Sequence, residues 1–184
     1  ALTFEGYRVL TAPNGKDGLE IIHAERPLVV IADIMMPKLD GFGLVHRLRL
    51  DPETQDIPVV FITATYVTLA DQEFALNIGA TRFIQKPVDM ENFLQTIAEL
   101  VQQNVHISIV PFREFNFYDG YRKRLEAKLD QKNKQISRDE LLLRTRQDED
   151  NEELQASLHQ ALNEREEILI LLNQIHKQLE KYIE

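Results

Sequence analysis

The stretch Asp33-Ile-Met-Met-Pro-Lys-Leu-Asp-Gly41 decides the fold of this chain. It begins with a carboxylate that directly follows a continuous apolar run, residues 28–32, and it continues as a loop that contains a proline. A short uninterrupted apolar run is typical of a strand buried on both faces of a parallel sheet. Open α/β sheets place their chemistry at the carboxyl ends of such strands. The stretch therefore predicts a functional loop at one edge of a parallel sheet.

Two further apolar runs end in polar side chains that can join Asp33 at this edge. One run ends in Thr63, 30 residues after Asp33, and another ends in Lys86, 53 residues after it. The carboxyl ends of parallel strands meet at the same edge of a sheet. An acid, a hydroxyl and an ammonium group are thus expected to converge on one small anionic group.

The first part of the chain alternates between strand and helix patterns. Strands are predicted over 7–12, 28–33, 58–63 and 81–85, and helices over about 16–25, 42–50, 68–78 and 89–103. Alternation of this kind is typical of an α/β fold with a parallel sheet and right-handed crossovers.

Composition excludes several classes of protein. The 184 residues are 43% hydrophobic, which is enough for a core, and no apolar stretch is long enough to span a bilayer. No contact with a membrane is therefore expected. The absence of cysteine excludes disulfides and thiolate zinc sites, and together with the absence of a signal-peptide pattern it favours a cytoplasmic location. Residues 1–104 carry 8 basic and 14 acidic groups, a net of −6 that argues against nucleic-acid binding.

The order and spacing of Asp33, Thr63 and Lys86 resemble the receiver domain of two-component response regulators. The resemblance implies a flavodoxin-like parallel sheet with flanking helices over residues 1–104. It also implies that the aspartate matching Asp33 accepts a phosphoryl group from a histidine kinase or a phosphotransfer protein. Such a chain is a phosphoryl acceptor and not an enzyme, apart from hydrolysis of its own acyl phosphate.

The resemblance and the chemistry of the side chains suggest a role for each residue. Asp33 and the backbone carbonyl of Met35 would be ligands of Mg²⁺, which prefers oxygen donors. Lys86 would offset the charge of the phosphoryl oxygens, and Thr63 would donate a hydrogen bond to one of them. Phe83 matches the aromatic residue whose rotamer follows the threonine in this family, although an aromatic on a strand is also often plain core.

The end of the opening stretch predicts a turn. Pro37, Asp40 and Gly41 are turn-forming residues, and the glycine is expected at dihedral angles that other residues avoid.

One part of the family pattern is missing. A receiver opens with an apolar strand that ends in a pair of acidic residues, whereas residues 1–6 resemble the tail of the helix that follows that strand. In the strand order 2-1-3-4-5 the first strand is internal, so its loss would leave neighbouring strands unpaired. We expect that the sequence is an incomplete record of the natural protein, or that another segment or chain fills the gap. The magnesium site is incomplete without the acidic pair.

Residues 105–184 form a second, mainly helical region. Residues 105–110 alternate like a short strand, and the chain from about residue 112 is nearly free of helix breakers. Spacings of three and four residues, interrupted by Arg165, predict a coiled-coil or helix-bundle seam and hence a homodimer. The seam residues are Leu154, Leu158, Ala161, Ile168, Leu172, Ile175 and Leu179. No helix-turn-helix pattern is present, so no contact with nucleic acid is expected from this region.

Charge favours a hairpin in this region over one long helix. Residues 122–146 carry 9 basic and 4 acidic groups, a net of +5, and residues 147–167 carry 1 basic and 8 acidic groups, a net of −7. A hairpin turning near residues 148–151 would place these blocks side by side, and dimerisation would then make a four-helix bundle. A straight parallel dimer would stack like charges. Solvated helix faces without specific pairing are the other interpretation.

Two other functions remain open on this evidence. The chain could be a receiver-like scaffold that works by protein–protein contact without phosphorylation. It could also be the N-terminal regulatory part of a larger signalling enzyme, such as a hybrid histidine kinase or a nucleotide cyclase.

Overall fold

A computed structural model describes residues 1–64, 68–102, 114–145 and 151–182. The chain divides into two compact units, residues 1–113 and 114–184. Across the described ranges, no helix has the length and apolar character that a membrane crossing needs.

The first unit is an α/β sheet structure with helices between its strands. In chain order, its elements are α1 (Gly15–Glu25), β1 (Val30–Ala32), α2 (Gly41–Leu50), β2 (Val59–Thr63), α3 (Leu69–Asn77), β3 (Arg82–Gln85) and α4 (Met90–Gln102). The three strands are parallel and lie in the order β1-β2-β3. The predicted parallel α/β architecture is confirmed, and the bounds of the helices agree with the predicted ones within two residues.

Both faces of the central strand β2 are covered, as its continuous apolar sequence requires. On one face Phe61 and Phe74 each pack edge-on against Phe42, with ring centroids 5.8 and 5.1 Å from it. On the other face Val60 packs in a cluster with residues of α4. Burial on both faces explains why β2 shows no alternation of apolar and polar residues.

The predicted strand over residues 7–12 is wrong. These residues form no strand, and Val9 and Leu10 are 43% and 42% exposed. A strand needs a neighbour that completes its backbone hydrogen bonds. Within the described residues the sheet ends at β1, so the alternating side chains of residues 7–12 have no ladder to join.

The second unit consists of two long helices, α5 (Glu114–Thr145) and α6 (Glu152–Glu180). They run antiparallel, because contacts between them pair early residues of one with late residues of the other. Lys132 Nζ lies 2.5 Å from Glu164 Oε2, and Ser157 Oγ donates to Asp139 Oδ2 at 3.0 Å. The region is therefore a helical hairpin, and of the two arrangements considered the single long helix is excluded.

The predicted seam of α6 is buried inside this hairpin. Ala161 and Ile168 have no exposed surface, Leu172, Ile175 and Leu179 are at most 9% exposed, and Leu154 and Leu158 are half-buried. Residues of α5 supply the other side, chiefly Phe117, Tyr121, Leu125 and Ile136. The predicted strand over 105–110 lies outside the described residues. So does most of the hairpin turn that was predicted near residues 148–151.

Candidate functional site

The carboxyl edge of the sheet brings together the three polar residues predicted to meet there. Asp33 follows β1 directly, Thr63 is the last residue of β2, and Lys86 follows β3. Lys86 Nζ lies 2.8 Å from Asp33 Oδ2, although 53 residues separate the two in sequence. The backbone N–H of Lys86 donates to the carbonyl oxygen of Thr63 at 2.9 Å. The roles assigned to these residues stay predictions.

The Asp33–Lys86 pair is open to a ligand, whereas Thr63 is not exposed. The side chains of Asp33 and Lys86 are 32% and 46% exposed, and Thr63 is 0% exposed. The backbone N–H of Met35 donates to Asp33 Oδ1 at 3.2 Å, so both carboxylate oxygens have a donor. The carboxylate of Asp33 is thus oriented beside a cation and remains partly open to solvent.

The loop after Asp33 turns at residues 37–39, so of the three predicted turn residues only Pro37 lies in this turn. Lys38 adopts a left-handed conformation with φ 66°, and the N–H of Leu39 donates to the carbonyl of Pro37 at 2.8 Å. This is a tight three-residue turn, and a left-handed conformation is strained at a residue other than glycine. Asp40 and Gly41 belong instead to the start of α2.

A glycine is required at position 41 because a side chain would not fit there, and not because of its dihedral angles. Its φ is not positive, so the predicted permissive conformation is wrong. A Cβ at this position would lie 2.6 Å from the carbonyl oxygen of Asp33 and 2.7 Å from the ring of Phe61. The glycine thus lets α2 begin directly against the backbone of Asp33.

Asp40 caps α2 from a buried position. Its Oδ1 accepts a hydrogen bond from the N–H of Gly43 at 2.8 Å, and the residue is 3% exposed. Burial raises the pKa of Asp40 to about 7, although the hydrogen bond from Gly43 opposes the shift. Sequence reasoning identified Asp40 as a turn residue and missed both the cap and the burial. The signal for the cap was present, since Asp is a preferred N-cap residue.

The first turn of α1 lies against this loop. A Cβ on Gly15 would lie 2.1 Å from the carbonyl oxygen of Leu39, so only glycine allows the contact. Asn14 caps the helix by accepting from the N–H of Asp17 at 3.0 Å. Sequence reasoning missed this contact, because nothing local to Gly15 points to Leu39.

Phe83 is half-buried on β3. It lies level with Phe61 in the sheet register, on the same face as Thr63. This position agrees with a core residue and with the predicted switch role, which stays a prediction.

The site offers a partial set of magnesium ligands. Within the described residues no group of three or more His, Asp or Glu side chains could hold a metal ion. Mg²⁺ is commonly bound by one or two carboxylates with waters and phosphate oxygens as the other ligands. The carboxylate of Asp33, whose side chain is 32% exposed, fits this pattern as one such ligand, and the backbone of Met35 lies next to it.

Comparison with known proteins agrees with this geometry. The family model for the response regulator receiver domain matches residues 1–98. Protein PilH of Pseudomonas aeruginosa is 42% identical over 92 residues, covering 50% of this chain and 75% of PilH. A probable transcriptional regulator, ycf27 of Guillardia theta, is 34% identical over 122 residues, covering 63% of this chain and 46% of that protein. The chain thus spans less than half of this second relative.

A solved structure shows the same fold. The signal receiver domain of a signal transduction histidine kinase from Syntrophus aciditrophicus is 26% identical with a TM-score of 0.52, covering 61% of this chain and 84% of that one. This similarity shows that the parallel sheet with its flanking helices has the flavodoxin-like receiver fold. With more than half of the sequence matched by the family model and the acidic, hydroxyl and basic residues gathered at one sheet edge, the chain belongs to the response regulator receiver domain family.

Proposed function

We propose that this protein is the phosphoryl acceptor of a two-component phosphorelay and is phosphorylated on Asp33. The 2.8 Å contact between Lys86 Nζ and Asp33 Oδ2 carries the proposal. A phosphoryl acceptor needs an exposed carboxylate oxygen next to a fixed positive charge. The phosphoryl donor is a histidine kinase or a phosphotransfer protein, and the protein itself is not an enzyme beyond hydrolysis of its own acyl phosphate.

Phosphoryl transfer to Asp33 requires that the negative charges of the carboxylate and of the phosphoryl group are offset. A carboxylate oxygen attacks phosphorus, the bond between phosphorus and the donor breaks, and the donor leaves with its electron pair. Lys86 stabilises the phosphoryl oxygens as a point charge, and Thr63 donates a hydrogen bond to one of them. Asp33 and the backbone carbonyl of Met35 would hold Mg²⁺, which when bound would supply further positive charge to the same oxygens.

The two regions of the chain have different roles in this proposal. Residues 1–104 receive the phosphoryl group, and residues 105–184 pass the signal on as a dimerising helical hairpin. The acyl phosphate carries more charge and more acceptors than the carboxylate, which is enough to move Thr63 and, through it, Phe83. We expect the protein to act in the cytoplasm, and we expect no contact with nucleic acid or membrane from residues 1–184.

Mass spectrometry tests the assignment of Asp33. With the protein in its full natural sequence, an acyl-phosphate donor and Mg²⁺ should add one phosphoryl group, and Asp33→Asn should abolish the addition. Asp56→Asn is the matched control, because Asp56 is an exposed carboxylate at the amino end of β2, away from the site. It should be labelled like the parent protein. Undiminished labelling of Asp33→Asn would refute the assignment.

The alternatives differ in their response to the same variant. A scaffold that works by contact alone should keep its partner binding in Asp33→Asn, with or without a phosphoryl donor. A regulatory part of a hybrid histidine kinase or a nucleotide cyclase should instead change the activity of the linked enzyme when Asp33 is phosphorylated.

A further inference from the structure

Helix α6 carries more apolar surface than its partner helix can cover. Five consecutive apolar residues, Ile168–Leu172, turn through more than a full circle at about 100° per residue. A helix that is apolar all round is normally buried all round. Here α5 covers one side: Ile168 and Leu172 are 0% and 6% exposed, while Leu169 and Ile170 remain 46% and 53% exposed.

The exposed residues belong to a defined surface, which we call the far face of α6. At helical spacing, six residues between positions 162 and 177 share a sector of about 100° that is turned away from the buried seam, and all of them except the half-buried Leu162 are exposed. They are Leu162, Glu166, Leu169, Ile170, Asn173 and Lys177. Within the described part of the chain neither Glu166 nor Lys177 has an ion-pair partner, and both are exposed. The far face is thus an apolar centre flanked by one acid and one base.

We propose that a second copy of this chain docks on the far face, with the two α6 helices antiparallel. The dimerisation predicted from the seam needs a new surface, because the seam is already used within each hairpin. This inference rests on the dimer in the proposed function and is independent of phosphorylation at Asp33.

The charges on the far face favour a second copy of this chain as the partner, and they favour an antiparallel pairing of the two helices. Glu166 and Lys177 are eleven residues apart, about 16 Å along the helix. A two-fold axis passing between Leu171 and Leu172 places Glu166 of each copy opposite Lys177 of the other, and the two Ile170 side chains meet next to the axis. A parallel pairing would instead set Glu166 against Glu166. A symmetric dimer requires such self-complementarity of one patch.

Sedimentation of the unphosphorylated protein at micromolar concentration tests the proposal. The parent protein should be a dimer, and Ile170→Glu should raise the dissociation constant at least tenfold while circular dichroism shows an intact hairpin. Leu141→Glu is the matched control, since Leu141 is a 61% exposed leucine on α5. It should leave the dimer unchanged.

Charge reversal tests the orientation. Glu166→Lys alone and Lys177→Glu alone should each weaken the dimer several-fold, because each sets like charges together twice. The double variant should return to within about threefold of the parent protein. A monomeric parent protein, an unaffected Ile170→Glu dimer, or a double variant no better than the singles would each overturn the proposal. Labelling of Asp33, measured on the same samples, reports separately on the proposed function.

Discussion

At the scale of single residues, Asp40 shows how one side chain can support and destabilise the same structure. Its carboxylate completes the first turn of α2, where a negative charge is favoured. The same carboxylate is 3% exposed, and burial disfavours its charged form. The burial effect is the larger of the two, because the pKa is raised to about 7.

Asp40→Asn should therefore become more stabilising as the pH rises. A raised folded-state pKa means that the contribution of Asp40 is fully present below its unfolded pKa of 3.8 and is lost as the pH rises through about 7. Asparagine keeps the capping oxygen without the charge. Between pH 5.5 and 8 the free energy of unfolding of the variant, relative to the parent protein, should rise by about 2 kcal/mol. Urea unfolding at several pH values measures this.

Asp40→Ala separates the cap from the charge. It should show the same trend with pH, offset downward by about 1 kcal/mol at every pH because the cap is lost. A difference between Asp40→Asn and the parent protein that does not change with pH would contradict the buried, raised pKa.

At the scale of elements, the position of α1 depends on the absence of one side chain. Gly15→Ala should destabilise the first unit by about 1–3 kcal/mol, because its Cβ would overlap the backbone carbonyl of Leu39, which cannot rotate away. Gly18→Ala in the same helix is the matched control. Its Cβ would lie 3.7 Å from Ala12 Cβ, an ordinary contact, so the variant should be more stable by up to about 1 kcal/mol. Thermal unfolding that ranks the two variants equally would refute the close contact between α1 and the loop.

At the scale of the whole molecule, we expect that a substitution can unfold the hairpin while the receiver unit stays folded. Leu172→Glu places a charge at a position 6% exposed between α5 and α6, which should cost the hairpin about 3 kcal/mol or more. Helix content should fall by circular dichroism, while Asp33 is still phosphorylated, because no residue of the first unit is changed. Leu141→Glu, on the exposed side of α5, should lose no helix content. Loss of phosphorylation in Leu172→Glu would show that the two units depend on each other.

Local sequence patterns determined the parallel sheet, the bounds of its helices and the convergence of Asp33 with Lys86. They succeed because an apolar run of strand length has few other places to lie, and parallel strands bring their carboxyl ends to a common edge. The periodic apolar positions of α6 likewise predicted a buried stripe, because helical spacing alone sets which side chains share a face.

Only the tertiary structure decided the features that depend on residues distant in sequence. Residues 7–12 alternate like a strand, yet they form none, since a strand exists only where a neighbour completes its hydrogen bonds. Gly41 was expected to be needed for its dihedral angles, but it is needed because Asp33 and Phe61 lie against it. The periodicity of the α6 seam could not say which helix covers it. The structure shows that α5 covers it. The pattern of α6 could not identify α5, because any apolar stripe of matching spacing would bury the seam equally well.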